Sequence, residues 1–205
     1  MGDTHRTLVL TVLVAGLVLV AASCGRSGFQ YIENDDSTVF AKIPDEWELV
    51  SEGIVDFTLT GDDGQLSILP GDDTLPWRAL FDAEPSPDGS VGFDRVLGAV
   101  EVQPVDRRLR TDINLESIFG FDPEDPGEDV TVLAQADIAQ GDLNGMRVIY
   151  QTVVQGVATT IDRQILTDDR FTTVYELRLG CDRDCFSANA EVIDEIMETF
   201  TVEVG

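Results

Sequence analysis

The chain predicts an α+β domain built on an antiparallel sheet buried on both faces. Three observations lead there. Four β-rich runs follow one another after residue 130 with only short turns between them. Apolar residues occupy both faces of the second run. An amphipathic helix and a returning strand close the chain. Residues 38–205 read as a single domain without internal repeats, large enough to bury about 70% of its unfolded surface.

Taken in order, residues 38–44 alternate as a strand that runs into the turn Pro44-Asp45-Glu46-Trp47. Residues 54–60 and 65–69 read as two strands joined by Gly61-Asp62-Asp63-Gly64, strong hairpin-turn chemistry. Residues 70–128 are the least regular. The breaker clusters Pro85-Ser86-Pro87-Asp88-Gly89 and Asp122-Pro123-Glu124-Asp125-Pro126-Gly127 mark surface loops. Between them a strand is expected near 95–103, and a short helix over 112–119 that stops at Gly120.

Residues 130–139, 145–155, 158–167 and 171–179 then form an antiparallel meander. In its second run Met146, Val148, Tyr150 and Val154 share one face, with Ile149 and Val153 on the other. Ser187 offers an N-cap for a helix reaching Thr199. Its apolar stripe is Val192, Ile193, Ile196, Met197 and Phe200, with Glu191, Asp194, Glu195 and Glu198 facing water. A strand over 200–204 ends the chain.

The N-terminal 23 residues belong to no fold. Leu8 to Ala22 is an uncharged run, LVLTVLVAGLVLVAA, short of the roughly 20 residues a membrane-crossing helix needs yet suited to a signal-peptide core. It leads into Ala21-Ala22-Ser23-Cys24-Gly25, which resembles the bacterial lipobox, with alanine at Ala21 in place of the commoner leucine. On this reading residues 1–23 are removed and Cys24 carries a diacylglyceryl group, with further acylation such as palmitate. Two or three acyl chains, at about 0.8 kcal/mol per buried methylene, hold a protein far more firmly than one. Residues 24–37 then form a flexible tether with a reach of about 20 Å.

The cysteine count agrees. Three cysteines are present; giving Cys24 to the lipid leaves Cys181 and Cys185 as an even pair, a disulfide in an exported domain. So short a loop is stabilised by only about 2 kcal/mol. The alternative is a thiol-redox centre, with Cys185 near a helix N-terminus. Against it stand the C-x3-C spacing and the flanking Asp182 and Asp184, which oppose thiolate formation.

Charge sets the remaining limits. With 39 Asp+Glu against 13 Lys+Arg the net charge is -26, and it stays there when Asp3 and Arg6 leave with residues 1–23. A nucleic-acid partner is excluded for want of clustered cations, and anionic lipid headgroups repel such a domain. The single histidine, His5, lies in the removed segment, so no imidazole is left for a Ser–His or Cys–His nucleophile. No G-x-S-x-G, H-E-x-x-H or phosphate-loop motif occurs, and no cofactor is expected. A hydrolase working through paired carboxylates is the enzymatic alternative.

The acidic turns Asp35-Asp36, Asp62-Asp63, Asp72-Asp73 and 122–129 offer hard oxygen ligands, but none has EF-hand spacing. Turn chemistry alone explains them, so no metal is assigned. The one cationic cluster, Arg107, Arg108 and Arg110, is a candidate contact for an anionic ligand or an envelope protein, set against simple pairing with the domain's own carboxylates. Trp77 and Phe81 are candidates to line a pocket, set against plain core.

The strand ending at Pro44-Asp45-Glu46-Trp47, the central meander and the closing Ile193-Asp194-Glu195-Ile196-Met197-Glu198-Thr199-Phe200-Thr201-Val202 resemble the PsbP-like domains, among them those of actinobacterial lipoproteins of the LpqN/LpqT type. Glutamate at Glu46 replaces the glycine usual in the family's turn. The resemblance implies an α/β/α sandwich, an antiparallel sheet with helices on both faces. It also implies an accessory, binding or scaffold role without a catalytic set. The function expected is thus a lipid-anchored, extracytoplasmic, non-catalytic binding or scaffold protein of the cell membrane. A calcium-binding or purely structural envelope protein is the further alternative.

Overall fold

The structure, a computed structural model, describes residues 28–36, 38–60, 65–70, 76–84 and 92–204, with the backbone alone over 55–60 and 65–70. The apolar run, Cys24 and the turns Gly61–Gly64, Asp72-Asp73 and Pro85–Gly89 lie outside the described residues.

The described elements are β1 (Phe29–Glu33), β2 (Val39–Pro44), β3 (Glu48–Thr60), β4 (Gln65–Pro70), β5 (Trp77–Asp82), β6 (Leu97–Pro104), α1 (Leu115–Phe119), β7 (Thr131–Gln140), β8 (Leu143–Val154), β9 (Val157–Asp168), β10 (Thr173–Asp182), α2 (Arg183–Ala188), α3 (Ala190–Thr199) and β11 (Thr201–Val202). Eight strands form one sheet in the order β4-β3-β5-β6-β10-β9-β8-β7, and β1-β2-β11 form a second. Every pairing is antiparallel.

The expected cover of helices on both faces is wrong. One face of the large sheet packs against α3 and the small sheet. There Trp77, Phe81, Leu177 and Leu179 meet Ile43, Ile193, Ile196, Met197 and Phe200. The opposite face buries Val148, Tyr150, Ile165 and Val174 beneath Val105, Ile113, Ile118, Phe119 and Phe121. That cover is irregular chain around α1, a helix of only five residues. Both faces are dry because loops as well as helices can exclude water, so two-sided apolarity does not specify helical layers.

Local chemistry explains most element ends. Asn114 caps α1: its side chain accepts from the Ser117 N–H at 2.8 Å, and Ser117 Oγ accepts from the Asn114 N–H at 2.9 Å. Gly120 ends α1 in the left-handed region, φ 81°. The closing helix is not one helix capped by Ser187. Asp182 caps α2 through the Cys185 N–H at 2.8 Å, and the chain breaks at Asn189 before α3 begins. The Cys181–Cys185 disulfide, Cα atoms 5.9 Å apart, ties the end of β10 to the first turn of α2.

Two further differences concern strands. Phe29–Glu33, inside the stretch read as tether, pairs with β2. Trp77–Asp82, in the stretch read as irregular, lies inside the large sheet between β3 and β6. The close approach of β8 to β9 needs Gly145, where a Cβ would overlap the Ile165 carbonyl oxygen.

Candidate functional site

Strand alternation assembles the most polar interior of the molecule on the α1 face. In β10, Tyr175, Leu177 and Leu179 join the α3-side core, which turns Val174, Glu176 and Arg178 the other way. Register then sets Glu176 opposite Glu101 of β6, and Arg178 opposite Arg163 of β9. Arg78 of β5 lies opposite Glu101 on its other side. Like charges thus face each other across two adjacent pairs, which is destabilising unless each finds an opposite charge.

Each does. Arg78 Nε donates to Glu101 Oε2 at 2.8 Å, and Arg163 Nη2 donates to Glu176 Oε2 at 2.8 Å. Arg178 Nη1 lies 3.3 Å from Glu176 Oε1. Arg163 also donates to the Ile118 and Phe119 carbonyls at 3.0 Å and lies over the Phe119 ring. It therefore satisfies the C-terminal carbonyls of α1 while anchoring that helix to the sheet. Burial would lower the Arg163 pKa, but Glu176 and Tyr150 beside it outweigh that and raise it. Burial pushes the Tyr150 hydroxyl up, with Arg163 opposing.

These side chains floor a cavity of about 360 Å³, walled by residues 104–118. Beneath the floor, Arg163 Nε and Glu176 Oε1 are buried without a hydrogen-bond partner among the described residues, Glu176 Oε1 keeping only its ion pair with Arg178. The Arg178 side chain is the most open, 45% exposed against 21% for Arg78 and 12% for Arg163.

The sequence-predicted residues divide. Arg107, Arg108 and Arg110 sit on the segment whose Asp106 and Leu109 line this cavity, and no carboxylate among the described residues lies within salt-bridge distance of them. Arg110 Nε instead donates to the Val105 carbonyl at 3.0 Å. Trp77 and Phe81 are buried on the opposite face and do not line it; Phe81 stacks on Trp47 with centroids 6.0 Å apart. Sequence reasoning missed Arg78, Glu101, Arg163, Glu176 and Arg178. Their signal was charge at alternate positions inside otherwise apolar runs, as in Val174-Tyr175-Glu176-Leu177-Arg178-Leu179.

Chemically the arrangement suits holding an anion. Three of the chain's twelve arginines, Arg78, Arg163 and Arg178, line the cavity against the carboxylates of Glu101, Asp106 and Glu176, and three more, Arg107, Arg108 and Arg110, lie on its wall segment with Asp112 and Glu116, in a protein of net charge -26. The lining contains no His, Cys or Lys, and its one hydroxyl nucleophile, Ser117 Oγ, is engaged with Asn114. Among the described residues no group of three or more His, Cys, Asp or Glu is placed to hold a metal ion. No described helix is long and apolar enough to cross a membrane.

No known family profile matches the chain, and no curated protein matches it in sequence. Among solved structures it is similar in fold to cyanobacterial PsbP from Synechocystis, at 9% identity over 88% of this chain and 96% of that one, TM-score 0.49. It is also similar to the Ran-binding protein Mog1p of Saccharomyces cerevisiae, at 11% identity over 85% and 95%, TM-score 0.46. A third is LpqN of Mycobacterium tuberculosis, involved in cell envelope biogenesis, at 11% identity over 86% and 91%, TM-score 0.40. No residue role is carried over from any of them.

Proposed function

We propose that the chain is a non-catalytic binding protein, anchored at the outer face of the cell membrane through lipid on Cys24, whose arginine-floored cavity holds a small anion. One observation carries the binding part: in a strongly acidic chain Arg78, Arg163 and Arg178 converge on a single cavity, with Arg107, Arg108 and Arg110 on the segment that walls it. Guanidinium groups are the favoured donors for carboxylate and phosphate because their forked N–H geometry matches two acceptor oxygens. Glu101 and Glu176 hold those groups in place and offset two of their three charges, so the ligand supplies the remaining negative charge.

The redox alternative has less support. Cys181 is buried and Cys185 half-buried, which restricts the approach of an attacking thiol to the disulfide.

Calorimetric titration of the full chain in neutral detergent with inorganic phosphate and with succinate tests the binding. Uptake of at least one anion is expected, weakened about tenfold in Arg178→Gln. Arg178 is chosen because its exposure spares the fold. Absence of heat with either anion, or equal affinity in Arg178→Gln, overturns the reading. The anchor is tested separately by labelling cells with an alkyne fatty acid; label surviving in Cys24→Ala, or absent from the parent, overturns it.

A further inference from the structure

Among the described residues β7 ends the large sheet, hydrogen-bonded on one side only, to β8. It is ten residues long, and seven of them are exposed. Long open edges are usually blunted by proline, lysine or a covering loop. β7 has neither residue; a bulge at Leu133, itself 52% exposed, and the lone Asp137 are its only such devices. Among the described residues only its last residue is otherwise engaged: the Gln140 side chain donates to the Phe200 carbonyl and accepts from the Val202 N–H. The backbone from 131 to 139 therefore presents a row of donors and acceptors unpaired among the described residues.

We propose that this edge is an interaction surface that takes an extended, cationic segment of a partner protein as a ninth, antiparallel strand. Charge selects the occupant. Residues 111–146 contain nine Asp and Glu and no Lys, Arg or His. Two copies of a chain at -26 would repel across such an edge, so a second copy is disfavoured and a basic segment attracted. Register refines the pattern. Gln135 and Asp137 are opposite Val148 and Met146, on the α1 face, whereas Ala134 and Ala136 are opposite Ile149 and Arg147, on the α3 face. An added strand would meet a carboxylate on one face and small alanines on the other. It would thus alternate Lys or Arg with bulkier apolar residues.

The test uses the full chain in neutral detergent with a nine-residue peptide alternating lysine and valine. Binding is read by fluorescence anisotropy, and amide hydrogen exchange locates it. Saturable binding that slows exchange within 131–139 is expected. Affinity should fall about tenfold for the same peptide with alternate backbone N-methyl groups, which keeps the charge but removes strand hydrogen bonds, and about tenfold for Asp137→Lys. A peptide with glutamate for lysine should not bind. The proposal is overturned by no binding, by binding that leaves exchange in 131–139 unchanged, by equal affinity for the N-methylated peptide, or by a dimer of this chain that protects 131–139 unaided. Arg178→Gln should leave this binding unchanged, which separates its failure from failure of the anion site.

Discussion

Single residues show how often this protein sets one carboxylate against several donors. Asp168 is the clearest. Burial alone would push its carboxyl up, but the Thr172 N–H and hydroxyl, each at 2.7 Å, hold it below the ordinary value of 3.8. A group with a depressed folded pKa binds protons less readily than the unfolded chain does. Its contribution is present above 3.8 and lost as pH falls through the folded value. Asp168→Asn should therefore lower stability by about 1 kcal/mol at neutral pH, a modest figure for a partly exposed charged acceptor. The deficit in Tm should close as the scan moves below pH 3.8; an unchanged deficit there would refute the assignment.

Asp162 behaves oppositely. Burial raises its pKa despite Arg147 at 2.6 Å. The folded state therefore takes up its proton more readily, and its charged form costs stability as pH rises through the raised value. What it offers is placement: Arg147 bridges Asp162 in the sheet to Asp194 on α3 at 2.7 Å.

At the scale of elements, the β8–β9 hairpin turns through Gln155 and Gly156, both at positive φ, 51° and 82°. That geometry matches the twist of the flanking strands and favours Asn-Gly. Gln155→Asn should raise stability by about 0.5 kcal/mol, seen as a higher denaturation midpoint with an unchanged slope. A lower midpoint would count against the turn assignment.

The meander strands were legible in the sequence because alternation and turn residues agree there. β5 was not, because Trp77-Arg78-Ala79-Leu80-Phe81-Asp82 is short, sets the charged Arg78 and Asp82 beside Leu80 on one face and is bounded by proline and acidic residues. The break at Asn189 was hidden because Ser187 is as good a cap by composition as Asp182; only the backbone direction chooses between them. The floor of the cavity was hidden for a related reason. In an alternating strand a charged residue reads as solvent-facing; Glu176 is buried and Arg163 mostly covered because residues 104–118 fold back over them.

For the whole molecule, the dominant long-range term is self-repulsion. At a net charge of -26 the folded state crowds like charges that the unfolded chain spreads apart. Raising ionic strength from about 0.01 to 0.15 M shortens the Debye length from about 30 to 8 Å. Tm should rise over that range, as scanning calorimetry in a neutral salt would show; a fall would mean that short-range pairs such as Arg78–Glu101 outweigh the global charge.

The cationic floor set inside an anionic shell has a kinetic consequence. A small anion diffusing inward climbs an unfavourable potential for most of its path and feels attraction only at the threshold. Dissolved ions flatten that hill over its whole length, and reach the enclosed Arg163 far less than the open Arg178. Capture should therefore speed up in brine, the reverse of steering by an oppositely charged surface, and release should change little.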